Sequence, residues 1–178
     1  MPLVKNGKVA DDIFVHLADD AELPEAAAVL VSAARFLENP EDLLAKTAKL
    51  GVIWPNNRDL DDLLPFLDRL AVVALVFPTF RDGRAYSQAR LLRETYGYRG
   101  TLRAAGDVLR DQFQFLLRAG FDAFEVKKDA DVAAFSTEIA RHTVFYQPTG
   151  DGRVAANWAR HAQPASAQEP VVKSEPVR

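Results

Sequence analysis

The chain contains no cysteine. That excludes disulfides, thiol nucleophiles and cysteine-ligated iron–sulfur clusters. It has three histidines, His16, His142 and His161, too far apart to match a ligand motif, so no zinc site is expected. No apolar run approaches the ~18 residues of a membrane span. The opening residues, MPLVKNGKVADD, turn acidic too early for a targeting segment. Neither G-x-G-x-x-G nor a Walker A motif occurs, so the chain carries no nucleotide or flavin signature. A net charge of −3 and a pI near 5.6 argue against nucleic-acid binding. These absences lead us to expect a cytoplasmic protein with no membrane or nucleic-acid partner. Lysine is also missing locally: from Leu50 to Val126 every basic residue is arginine, and all seven lysines lie outside.

What is present fits a globular α/β chain. The length, 178 residues at 48% hydrophobic content, suits one domain with a tail. Leu3–Lys5, Asn6–Gly7 and Lys8–Val9 read as a small hairpin, because Asn-Gly favours a type I′ turn, and Ile13–Leu17 extends it. Short apolar segments then alternate with amphipathic ones. Strands are expected at 28–32, 52–54, 72–77, 101–105 and 123–126. Helices are expected from Pro40 to Gly51 (capped by Asn39), Asp59 to Arg69, Ala85 to Tyr96, Asp107 to Ala119 and Asp131 to His142. Pro65 kinks the second of these. VVALVF at 72–77 is the strongest strand, apolar throughout as a parallel strand buried on both faces must be. About five βα units result, on a mostly parallel sheet. An open doubly wound sheet and a partial β/α barrel both fit. The expected division is a hairpin extension at 1–25, an α/β domain at 26–146 and a tail at 147–178. Four prolines among small and polar residues mark the tail, and 162–178 reads as disordered.

Between Phe77 and Gln112 lie seven arginines (Arg81, Arg84, Arg90, Arg93, Arg99, Arg103, Arg110) against four acids. In α/β folds ligands sit at the carboxyl ends of strands, and three loops there stand out. In FPTFRDGR, Arg81, Arg84 and the turn Asp82–Gly83 precede a helix whose free N–H groups suit an oxyanion. The plainer reading is that Asp82 caps the helix and both arginines face water. In RAAGDVLRD, Arg103 lies in a strand expected to be buried and therefore needs a ligand or a partner such as Asp107 or Asp111. Gly106 and Arg110 belong to the same loop. In WPNNRD, Asn57 and Arg58 offer polar groups beside what is otherwise an ordinary turn. Tyr86 and Ser87 follow in the first helical turn. Tyr86 and Asp107 are the best candidate catalytic groups, and Ser87 has no base beside it.

WPNNRDLDDL, the core DGR-x-YS-x-ARLLR with RA-x-GDVLRDQ, and RAGFDAFEV together resemble a bacterial family, domain of unknown function 934, over roughly residues 1–145. Members of that family are labelled oxidoreductases of sulfite reduction, and their genes lie beside the sulfite reductase hemoprotein. The resemblance therefore implies a role in sulfate assimilation, with that hemoprotein as partner. Two readings follow from it. One is an accessory protein that binds an oxyanion, or sulfite reductase itself, through an arginine-rich face. The other is an enzyme acting on sulfite or a sulfated nucleotide. Many relatives carry cysteine just before the GFDAF segment, where this chain has Ala119, so a thiol role is excluded here.

Overall fold

A computed structural model describes residues 2–5, 8–24, 27–127 and 129–140, with residues 145–147, 149, 156 and 158 beyond. The hairpin turn at 6–7, His142, His161 and the tail at 162–178 lie outside the described residues. Among the described residues, eight strands form one sheet: β1 (Leu3–Lys5), β2 (Lys8–Ala10), β3 (Val15–His16), β4 (Ala28–Ser32), β5 (Lys49–Trp54), β6 (Val72–Phe77), β7 (Thr101–Gly106) and β8 (Ala123–Glu125). Their order is β2-β1-β8-β7-β6-β5-β4-β3. Strands β3 to β8 are parallel, whereas β1 runs antiparallel to both β2 and β8. The order from β3 to β8 never reverses. A doubly wound sheet must reverse at its switch point, so successive right-handed crossovers here keep the helices on one side. The result is a curled half-barrel.

Chain connectivity requires the curl. Strands β2 and β3 are opposite edges of the sheet, yet only residues 11–14 join them. Five residue steps reach at most about 18 Å, whereas eight flat strands at ~4.8 Å spacing would hold those edges about 34 Å apart. His16 Nε2 on β3 accordingly lies 3.9 Å from Glu125 Oε1 on β8. Residues 11–14 thus form a strap across the open side. The sequence reading made Ile13–Leu17 part of the hairpin; instead β3 pairs in parallel with β4 at the far edge.

The parallel register sorts side chains into two faces. Val52, Val73 and Leu102 form one row and Trp54, Leu75, Ala104 and Phe124 another, all in the main core with Phe36, Leu63, Phe113 and Phe135. Phe113, Phe124 and Phe135 pack mutually at 5.0–5.6 Å between ring centroids. The other face carries Leu30, Val72, Ala74 and Ala105, against which Phe14 of the strap packs.

The helices are α1 (Ala33–Glu38), α2 (Pro40–Lys46), α3 (Arg84–Arg90), α4 (Phe113–Ala119) and α5 (Asp129–Ala140). Asn39 caps α2 through its side chain, with Pro40 at the first turn, as its sequence requires. That helix ends at Thr47 rather than Gly51, because Gly51 lies inside β5, where a Cβ would meet Leu30 Cδ1 at 2.7 Å. The segment 59–69 is turns followed by a 3-10 helix, Leu64–Arg69, with Pro65 at its start. Proline tolerates a helix start but would break the middle of the longer helix expected here. Helix α3 passes into a π-helical turn, Leu91–Thr95, before Gly97. Asp107 caps no helix, since a 3-10 turn at Arg110–Gln112 leads into α4; α5 begins before Asp131. None of the described helices is long and apolar enough to cross a membrane.

Gly106 closes β7 at φ 92°, and an added Cβ would stand 2.4 Å from the Phe77 carbonyl oxygen on β6. Gly106→Ala is expected to destabilise the chain by about 2–3 kcal/mol through backbone strain and overpacking. An unchanged urea midpoint in that variant would contradict the tight approach.

Candidate functional site

The carboxyl ends of β5 to β8 feed neighbouring loops, and side chains knit these into one rim. Asp107 is the central acceptor. Its Oδ2 takes the Phe80 N–H at 3.0 Å and its Oδ1 takes Lys127 Nζ at 2.6 Å. The bond from Lys127, helped by that from Phe80, holds the Asp107 carboxyl below its usual range. Gln112 Nε2 donates to the Phe80 carbonyl at 3.2 Å, binding the loop before α4 to the loop before α3.

The start of α3 already holds an anion, the side chain of Asp82. Arg84 donates to it from Nε at 3.0 Å, from Nη2 at 2.7 Å and from its backbone N–H at 3.3 Å. This fork, above all, keeps Asp82 strongly ionised. The Asn56 amide faces the same carboxylate and also favours its ionised form, without forming a well-aligned hydrogen bond to it.

Beside α3 a groove of about 440 Å³ opens, lined by Asn56, Asn57, Arg58, Arg84, Ser87 and Gln88 and bounded by Leu91 and Tyr96. Gln88 builds its floor, donating from Nε2 to the carbonyls of Arg58 at 2.8 Å and Pro55 at 3.3 Å. That fixes the amide and leaves Gln88 Oε1 buried without a donor. Arg58 lies over the Trp54 ring at 5.7 Å and 3.6 Å from Asp62.

Arg103 is elsewhere. It points into the half-barrel, is 1% exposed, and donates to both Asp12 oxygens at 2.7 and 2.9 Å and to Glu125 at 3.3 Å. Phe14 stacks near its guanidinium at 5.8 Å. Burial pushes Asp12 upward, but the bonds from Arg103 and the Phe14 N–H, with the Arg103 charge, outweigh it and leave the carboxyl below its usual value. The partner of Arg103 is therefore the strap, not Asp107 or Asp111.

Of the residues selected from sequence, the fold gathers Asn57, Arg58, Arg84 and Ser87 around one groove. Arg84 and Arg103 do not meet, because one lies beside α3 and the other under the strap. Arg81 is exposed beside the Phe80 ring, and Arg110 lies 3.7 Å from Glu138. Gly83 precedes α3 at an exposed position, and Gly106 serves the close approach of β6 and β7. Tyr86 packs edge-on against Phe77 at 5.2 Å, and burial, with Asp111 adding, pushes its hydroxyl up to about 12. Sequence reasoning missed Asn56 and Gln88. Gln88 had a signal: it places an amide in the buried stripe formed by Ala85 and Ala89 of α3 and Leu92 of the π-helical turn. Asp12, far away in sequence, had none.

A family model described as a bacterial protein of unknown function matches residues 51–157, more than half of the chain. The groove lies wholly within the matched span, whereas the strap lies outside it. No curated protein matches the chain.

Proposed function

The chain belongs to this bacterial family, DUF934, and on that premise we propose that it is an accessory protein of assimilatory sulfite reduction. In this reading it docks on the sulfite reductase hemoprotein through the arginine-bearing face beside α3. The pathway rests on the family resemblance. The docking mode rests on one observation: Arg58, Arg84 and Arg90, which line the groove and its continuation along α3, are exposed, yet each of the three already faces a carboxylate. Arg84 is paired with Asp82, Arg90 with Glu94 and Arg58 with Asp62. A small free oxyanion would have to displace those carboxylates. A protein surface can meet both signs of charge at once, which suits orientation and recognition. The high value for Tyr86, which lies outside the groove, also makes it a poor proton donor at neutral pH.

The test is co-purification with sulfite reductase hemoprotein at low and high salt. A complex weakened by salt is expected, and the double change Arg58→Glu, Arg90→Glu should weaken it about tenfold or more. No complex at low salt removes the docking reading. A selective thermal shift with sulfite or a sulfated adenosine nucleotide would instead favour a ligand, since binding at ~100 times Kd adds about 2.7 kcal/mol.

A further inference from the structure

Two exposed apolar surfaces lie outside the groove, and they carry opposite charge. The first is the seam where the strap joins β2 to β3. Val9 pairs with Val4 and Val15 with Val29, so both point to the face against which the helices pack. Val9, Val15 and Ile13 of the strap are nevertheless each more than half exposed. The charge around them is of one sign. Between Lys8 and Arg35 the chain has six acids and no lysine or arginine. Arg103 claims Asp12, but the exposed Asp11, Asp20 and Glu22 form no ion pair among the described residues. Arg35 bonds the carbonyls of Ala18 and Ala21 rather than a carboxylate.

The second surface runs along the solvent side of α4. Gln112, Phe115 and Arg118 recur at helical spacing. Gln112 ties this line to the Phe80 carbonyl. Arg118 ties it to residues 145–147, lying 3.8 Å from the Phe145 ring centroid and donating to the Gln147 carbonyl at 2.6 Å. Phe115 is 66% exposed, Tyr146 82% and Phe80 47%. Arg81 lies over the Phe80 ring at 5.4 Å and forms no ion pair among the described residues. Exposed aromatic rings beside arginines are the residue types that dominate the energetics of protein interfaces.

We propose that the chain associates head to tail with further copies of itself, the acidic seam of one copy seated on the aromatic, arginine-bearing side of α4 of the next. Val9, Ile13 and Val15 cover the aromatic rings, and Asp11, Asp20 and Glu22 face Arg81 and Arg118. The two surfaces differ, so each copy in a pair keeps one of them free and the contact can repeat. The groove beside α3 takes no part, and the proposal stands or falls apart from docking on sulfite reductase.

Sedimentation velocity of the full chain tests it, over a concentration series up to about 200 µM, where even a Kd of ~100 µM leaves a visible complex. Ile13→Lys blocks the seam and Phe115→Glu blocks the α4 side. Both positions are exposed, so both variants should keep the wild-type Tm. The average mass of wild type should rise with concentration and fall with added salt, and each variant alone should associate at least about tenfold more weakly. Mixed in equal amounts, the two variants should form a complex of two copies and no larger. Only the α4 side of Ile13→Lys and the seam of Phe115→Glu remain intact to join. Val15→Lys and Arg81→Glu repeat the test on the same two surfaces. A wild type that stays monomeric at low salt overturns the proposal. So do variants that associate as wild type does, or a mixture that stays monomeric.

Discussion

Replacing Asp12 and Glu125 together by alanine is expected to destabilise the chain by about 3–5 kcal/mol, lowering Tm by roughly 10 °C. The physical cause is Arg103. Its side chain is 1% exposed on the inner face of β7, between the parallel neighbours β6 and β8. Three hydrogen bonds to those carboxylates offset its desolvation, and without them a full charge remains buried and unpaired. Asp12 also fastens the strap that joins the two edges of the sheet. Adding Arg103→Met to the double variant should recover most of the loss, because an apolar side chain of similar length carries no such penalty. Urea midpoints for the three proteins check this; if the double variant unfolds at the wild-type midpoint, Phe14 packing alone holds the strap.

The same contact sets an acid dependence. Asp12 is held below its ordinary value in the folded chain. A depressed carboxyl stabilises the fold above its unfolded pKa of about 3.9, and that stability is lost as pH falls through the folded value. Wild type should therefore lose stability below about pH 4 more steeply than Asp12→Ala does.

Arg93→Met is the second change with a large expected effect, again about 3–5 kcal/mol. Arg93 leaves the π-helical turn and donates to three carbonyls, Tyr98 at 2.6 Å and Gly100 and Gly120 at 2.9 Å, as well as to Asp122 at 3.1 Å. It thereby ties the end of α3 to the turns entering β7 and β8. Methionine keeps the volume but leaves three carbonyls and a carboxylate without their donor. Lysine should rescue little, since a single ammonium cannot reproduce the planar fork. Burial pushes Asp122 above its usual value, and Arg93 opposes that rise. A raised carboxyl has the opposite sign from Asp12: its ionisation costs stability, and the cost fades as pH falls through the folded value. The Arg93→Met deficit should thus be larger at about pH 7 than at about pH 5, as measured by urea unfolding. A deficit independent of pH would mean that the three carbonyls, not Asp122, dominate.

Local patterns were legible wherever neighbours in sequence decide the outcome. VVALVF formed the predicted central strand over its full length, Asn39–Pro40 opened α2, and Gly120 ended α4 in the left-handed conformation. Legibility failed where two local rules competed. The leucines after Asp59 suggested a regular helix, but Pro65 turned it into a 3-10 segment. Asp107 resembled a helix cap, yet Phe80 and Lys127 claim its carboxylate.

The sequence by itself determined the alternation of strands and helices, the absence of thiol chemistry and the residues from which an arginine-bearing face could be built. Tertiary structure decided how they are used. It bent the sheet into a half-barrel, because a four-residue strap must join its two edges. It gave Arg103 to Asp12, 91 residues away, and Arg84 to its neighbour Asp82, so the two arginines share no pocket. It brought Asn56 and Gln88 to the lining of one groove, which neither residue announces alone. The Arg103–Asp12 pairing depends on a distance closed only when the sheet curls, and no window of neighbouring residues contains it.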